Sequence, residues 1–349
     1  MERKSNIELL RIIAFLMVIF IHVTPTGLTI PEGIESHNLS WYYATFMRGI
    51  CGPAITIFIM ISGYFGYTNK EKYSIKKMLK RVLIPLICLS PLLFMINVMV
   101  SGFSIETIKQ FINMGLTLNG SFHHLWYIVG YIFIIIITPL LTKGIESYSK
   151  KNFTLLLLTM YILIGISELV QILEGIVIFR GMFSNNLIYF ITMYLTGYYI
   201  NKYDLKVSKI ISFIMIILIT GINYEIFLRE NPINAPINFM TIANNFQLFN
   251  MLLSISIFLF FKQLKMKSYK GINYIARLTY GAYIVHVFYI FFNQRFFPFL
   301  QYTNEKYYFI CDIGFVIFVA ICSLLTEGIR QLLVTIGKKI IFTINKTNK

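Results

Sequence analysis

Apolar runs long enough to cross a bilayer recur along the whole chain, and no other feature constrains its fold as strongly. A hydrocarbon core about 30 Å thick takes roughly 20 apolar residues as a helix. Lipid accepts only spans whose backbone hydrogen bonds close internally. Ten stretches meet or approach that length, at about 7–28, 46–66, 82–101, 122–142, 153–173, 186–201, 208–228, 243–261, 276–297 and 307–334. The sixth is short and tyrosine-rich, and the tenth carries Asp312, Glu327 and Arg330. With 57% hydrophobic and 13% charged residues, a soluble chain could not hide its apolar surface. The expected fold is therefore an all-α, polytopic transmembrane bundle of about ten spans. It forms a single domain over residues 1–349, with no appended soluble domain. The first apolar run is too long for a cleavable signal and lacks a small-residue cleavage site. Cys51, Cys88, Cys311 and Cys322 lie scattered in apolar segments without CxxC spacing, which favours packed thiols over a disulfide or metal site.

Charge gives the direction of the spans. With the N-terminus inside, 24 of the 31 Lys and Arg residues fall on cytoplasmic segments, six fall outside, and Arg11 lies within the first span. This is the positive-inside asymmetry, and it places both termini in the cytoplasm. The net charge of +16 then reflects topology and an anionic inner leaflet, with no nucleic-acid partner required.

Four stretches carry polar residues that apolar spans do not need. In "RIIAFLMVIFIH" ten apolar residues separate Arg11 from His22. Eleven steps of 100° are close to three full turns, so both side chains share one helix face, about 16 Å apart along the axis. Glu8 and Arg11 are i, i+3 neighbours able to pair. Ionisable groups at such depth mark functional sites. The plainer alternative is that Arg11 snorkels inward and His22 bonds a neighbouring helix. The second stretch, Phe58 to Pro85, ends a helix in Ser62-Gly63-Tyr64 and opens the next with Lys77, Lys80, Arg81 and Pro85. Its cations suit an anionic cofactor at the inner surface, or simple anchoring. The third, "SFHHLWY", places His123 and His124 before Trp126 and Tyr127. An interfacial aromatic belt accounts for the last two. Adjacent histidines on a helix point about 100° apart, which makes them a poor metal pair. The fourth, "LTYGAYIVHVFYIFF", buries His286 one turn after Tyr283.

Together these residues resemble acyltransferase family 3, bacterial integral-membrane enzymes that acylate cell-surface sugars and related molecules. The likeness rests on Arg11 and His22 at their spacing, and on Phe58, Ser62, Gly63 and Tyr64. It continues with Lys80, Arg81 and Pro85, a looser match, with His124-Leu125-Trp126-Tyr127, and with Thr279, Tyr280, Gly281, Tyr283 and His286. The order holds over nearly the whole chain. The resemblance implies a multi-pass protein of the bacterial plasma membrane that moves an acyl group from a cytoplasmic acyl-CoA, usually acetyl-CoA, to a hydroxyl outside. Acyl-CoA would be a co-substrate, with no cofactor bound permanently and no metal. Partners would be a cell-surface polysaccharide or lipid-linked saccharide and the bilayer, with room for a homo-oligomer. Arg11, Lys80 and Arg81 would bind the donor and His22 would act as general base, with a covalent acyl-imidazole as a second route. His124, Trp126, Tyr283 and His286 would lie on the acceptor side or orient it.

Two other classes fit a bundle of this kind: a transporter or flippase for a lipid-linked saccharide, and a membrane sensor that binds without turnover. Transport predicts inverted repeats and paired broken helices. Neither is found in the sequence, and transport gives no reason for the register of Arg11 and His22. From the charge asymmetry, a reporter fused after Lys349 should be cytoplasmic and one inserted at Glu35 external. Protease protection or reporter activity placing both on one side would break the odd number of crossings between them.

Overall fold

A computed structural model describes residues 4–23, 39–68, 74–117, 120–174, 184–230, 247–296 and 307–347. Among them there is no strand. In chain order the helices are α1 (Ser5–Val23), α2 (Leu39–Cys51), α3 (Ala54–Thr68), α4 (Ile75–Ser101), α5 (Ile105–Thr117) and α6 (Trp126–Glu146). They continue with α7 (Lys150–Glu174), α8 (Ser184–Lys202), α9 (Lys209–Glu230), α10 (Gln247–Lys262), α11 (Lys270–Phe296) and α12 (Tyr308–Thr347). A short 3-10 turn, Gly120–Leu125, precedes α6. Seven described helical stretches are long and apolar enough to cross a membrane. In its described part each expected apolar run overlies a helix, while residues 24–28, 243–246 and 297 of those runs lie outside the described residues.

Two features differ from the sequence reading. The run at 46–66 is two helices, because the chain breaks at Gly52-Pro53, where a proline disfavours helical backbone in the residue before it. The freed Pro53 carbonyl accepts the Thr56 hydroxyl at 2.9 Å and the Ser254 hydroxyl at 3.4 Å. The segment 105–117, expected as a connection, is the helix α5. Ser104 caps it by accepting from Thr107 N at 3.0 Å. Ile105, Ile108, Ile112 and Leu116 stay exposed along one stripe, while Phe111 packs 4.9 Å from Phe122.

Helix α1 lies at the centre, in contact with α2, α3, α10, α11 and α12. Ile7, Leu10, Ala14, Phe15, Val18 and Ile19 are all buried, as expected for a helix apolar on every side. On α9, by contrast, Ile210, Ile211, Phe213, Ile214, Ile217 and Leu218 are exposed. In a bilayer this outward apolar face meets lipid.

The pair α3 and α8 crosses backbone to backbone. A Cβ on Gly63 would overlap the Tyr194 carbonyl, and one on Gly197 would overlap the Met60 carbonyl. Small residues permit such approach where lipid supplies no hydrophobic drive between helices.

Polar contacts gather at the two ends of the bundle. At one end Lys4 Nζ donates to the Tyr64 hydroxyl at 2.7 Å, and Asn201 Nδ2 donates to the Tyr64 carbonyl at 2.6 Å. Asn6 Nδ2 caps the last carbonyls of α10, Phe261 O at 3.1 Å and Lys262 O at 3.0 Å, and Lys202 Nζ caps Ile145 O at 3.1 Å. Hydrogen bonds from Lys262 and Lys206 hold the Asp204 carboxyl down at about 2. These residues border the segments whose cations the sequence reading assigned to the cytoplasm. At the other end the Tyr43 hydroxyl donates to Asp312 Oδ2 at 3.0 Å, tying α2 to α12.

Overpacking a tight crossing costs about 1–3 kcal/mol. Gly63→Ala and Gly197→Ala should therefore each lower the thermal midpoint in detergent. Gly144→Ala, at a site with open space around it, should leave the midpoint unchanged.

Candidate active site

Three histidines from distant parts of the chain meet. His22 is the penultimate residue of α1, half-buried, at the end opposite Lys4. His124 lies in the 3-10 turn before α6, and its neighbour His123 points outward and is exposed. His286 is midway along α11 with no exposed surface. The ring centroids of His22 and His286 are 5.1 Å apart, those of His124 and His286 5.2 Å, and those of His22 and His124 6.5 Å.

Backbone carbonyls hold two of these rings. His124 Nε2 lies 3.0 Å from Ile284 O and His286 Nδ1 lies 2.6 Å from Tyr283 O. A carbonyl can only accept, so His286 carries its proton on Nδ1, while the one N–H of a neutral His124 is shared between two backbone partners, Ile284 and Ser121. The Tyr283 hydroxyl donates to the His124 carbonyl and so anchors the turn to α11. The turn needs Gly120, whose φ of 55° lies in the left-handed region.

Below the histidines runs a column of tyrosines. Tyr127 packs edge-on against Tyr283 at 5.7 Å and stacks on Tyr131 at 5.8 Å. Ser62 on α3 donates to the Tyr131 hydroxyl at 3.3 Å, and the Tyr280 hydroxyl reaches Val82 O on α4 at 3.1 Å. Arg11 is within electrostatic reach of Tyr127 and lies 3.1 Å from Glu8 Oε2. Arg11 and His22 thus flank one tyrosine-lined interior, as a shared helix face requires.

Sequence reasoning did not single out Tyr127, Tyr131 or Ser62 as site residues. Tyr127 had an easy explanation as a belt residue, yet it is buried. The i, i+4 spacing of Tyr127 and Tyr131, facing the i, i+3 pair of Tyr280 and Tyr283, was the available signal. Trp126, expected on the acceptor side, stacks on Phe190 at 5.8 Å, and no ring contact joins it to a histidine among the described residues. Lys80 and Arg81 are exposed on the first turns of α4, where Arg81 Nη1 reaches only Met78 Sδ at 3.9 Å. Among the described residues no hydrogen bond or ion pair joins either to Arg11. The described residues contain no group of three or more His, Cys, Asp and Glu side chains able to hold a metal ion.

A family model described as an acyltransferase domain matches residues 4–327. The chain belongs to acyltransferase family 3. The match takes in every residue of the histidine cluster, the tyrosine column and the basic start of α4. No curated protein and no solved structure matches the chain. This acyltransferase is a multi-pass membrane protein built of helices.

The contact between Tyr283 and the histidine turn can be tested in this acyltransferase directly. Tyr283→Phe keeps the ring and deletes the donor to the His124 carbonyl. Loss of one such hydrogen bond costs about 1 kcal/mol. A lower thermal midpoint and slower acyl transfer are expected. A variant unchanged in both would leave Ile284 as the anchor that positions His124.

Proposed function

We propose that the protein is a bacterial plasma-membrane O-acyltransferase. It moves an acyl group, acetyl by preference, from cytoplasmic acyl-CoA to a hydroxyl of an extracytoplasmic glycan or lipid-linked saccharide. The observation that carries this reading is the arrangement along α1: a guanidinium at one end of the tyrosine column and an imidazole cluster at the other. The anionic end of acyl-CoA would sit by Arg11, assisted from the surface by Lys80 and Arg81. The pantetheine arm would run along Tyr280, Tyr131 and Tyr127, whose ring faces and hydroxyls suit its amides and methylenes. The thioester would then lie beside His22.

In the reaction His22, neutral, takes the proton of the acceptor hydroxyl as its oxygen attacks the thioester carbonyl. The tetrahedral intermediate collapses with cleavage of the C–S bond. The coenzyme A thiolate leaves and receives the proton from the imidazolium. No described residue contributes a carboxylate or a cysteine to the cluster, so the imidazoles supply the base. A histidine is also the natural nucleophile should an acyl-imidazole form.

Protein in nanodiscs, given acetyl-CoA and a saccharide acceptor, should release free coenzyme A thiol. His22→Gln should lower that release by about 10²–10⁴, because an amide cannot act as a base near neutral pH. Arg11→Ala and Arg81→Ala should weaken acetyl-CoA binding with the fold retained. Acceptor movement across the membrane without thiol release would overturn the reading in favour of transport. Comparing surface glycans of cells with and without the protein identifies the acceptor.

A further inference from the structure

Several buried polar atoms among the described residues have no hydrogen-bond partner, and the Nε2 of His286 is the one that lies on a ring of the histidine cluster. The ring is fully buried, and among the described residues Nε2 has no hydrogen-bond partner. Its proton sits on the other nitrogen, which donates to the Tyr283 carbonyl at 2.6 Å. Nε2 is therefore a lone pair awaiting a donor. A buried acceptor without one is destabilising, and such sites persist where a second state fills them.

Three titratable groups face this ring: His22 on α1, His124 on the 3-10 turn, and Tyr283 on its own helix, stacked at 5.6 Å. The single N–H of a neutral His124 is taken by its backbone partners Ile284 and Ser121, and Tyr283 has given its hydroxyl proton to the His124 carbonyl. No described hydrogen bond engages the His22 ring, which leaves its N–H as the available donor. The rings lie 5.1 Å apart with planes at 48°, so facing nitrogens can come within about one hydrogen-bond length when the His22 ring turns.

We propose that His286 is the positioning residue for His22, its Nε2 accepting the His22 N–H so that the opposite His22 nitrogen presents its lone pair to the acceptor hydroxyl. The inference rests on the reading of His22 as general base. During transfer the hydroxyl proton moves to the free His22 nitrogen, and the resulting imidazolium still donates its other N–H to His286. The proton then leaves on the coenzyme A thiolate and His22 returns to its starting state. His286 keeps its own proton on Nδ1 throughout. In a serine-protease triad a carboxylate holds the imidazole in this way. Here a neutral ring does so, and the three described carboxylates on α1 and α12 are engaged elsewhere, Glu8 by Arg11, Asp312 by Tyr43 and Glu327 by Arg330.

The test compares two substitutions at His286. His286→Phe fills the space without an acceptor, whereas His286→Gln places an amide oxygen near the Nε2 position. Losing the acceptor destabilises the His22 imidazolium and lowers its proton affinity. In His286→Phe, kcat should fall about 10- to 100-fold with the acetyl-CoA KM unchanged, because an unoriented base loses part of its usual contribution. The acid limb of the kcat/KM profile should move to lower pH by about one unit. His286→Gln should recover part of kcat and return the limb toward its original place. A Phe variant with the parental limb, or Phe and Gln variants equally slow with no shift, would make His286 a packing residue and end the proposal. If His22→Gln keeps full turnover, the reading of His22 itself fails, whatever His286 does. Should the Phe variant not fold, 15N-histidine-labelled parental protein reads the same arrangement. The resonance lost in His286→Gln must report protonation at Nδ1, and protonation at Nε2 overturns the proposal.

Discussion

Lipid provides no hydrogen-bond partner, so every polar group placed along a span must be satisfied by the chain itself. The histidine site is a consequence of that demand. Two imidazoles are held by carbonyls of α11, and a tyrosine hydroxyl of the same helix holds the turn that carries one of them. Helix α11 therefore acts as the template on which His124 and His286 are set. Helix α1, buried on most of its circumference, brings His22 to them. Elsewhere in the spans Ser and Thr hydroxyls turn back to carbonyls of their own helices, as Thr138, Thr192 and Ser323 do.

The close crossing of α3 and α8 reaches the site through one residue. Gly63 lets the two backbones touch, and its neighbour Ser62 donates to Tyr131. A side chain at position 63 would push α3 outward and carry Ser62 away from the tyrosine column. Gly281 has a similar part at the other wall, since a Cβ there would overlap the Glu327 carboxylate. Glu327 in turn is clasped by Arg330 through two bonds of 2.6 Å and by Gln331 at 2.7 Å. Both glycines belong to short motifs visible in the sequence, and both are small because a neighbouring element occupies the volume.

Charge is distributed unevenly between the two ends of the bundle. Cations crowd the end at which Lys4, Lys202 and Lys262 tie helix ends together. Arg11 stands one step inside, balanced by Glu8, which makes burial of a guanidinium tolerable without a bound anion. An incoming phosphate would compete with that carboxylate for Arg11. Past Arg11 come the tyrosine column and the histidines, with the Glu327 carboxylate close to Tyr280 and Gly281 at one wall.

The sequence by itself determined the all-helical membrane character, because the length and spacing of apolar runs allow little else in lipid. It also determined the common face of Arg11 and His22, since helical periodicity alone sets that register. The family pattern drew attention to His124, Tyr283 and His286 but could not say that they meet, for their contacts span 160 residues of chain. Tertiary structure decided that His124 rather than His123 turns inward, and that Tyr127 faces the interior instead of the lipid. It decided that Trp126 packs on Phe190, and that the run at 46–66 breaks at Gly52-Pro53. It also decided which rings gather, because the Ile284 carbonyl of α11 meets His124 only through the packing of the 3-10 turn on that helix.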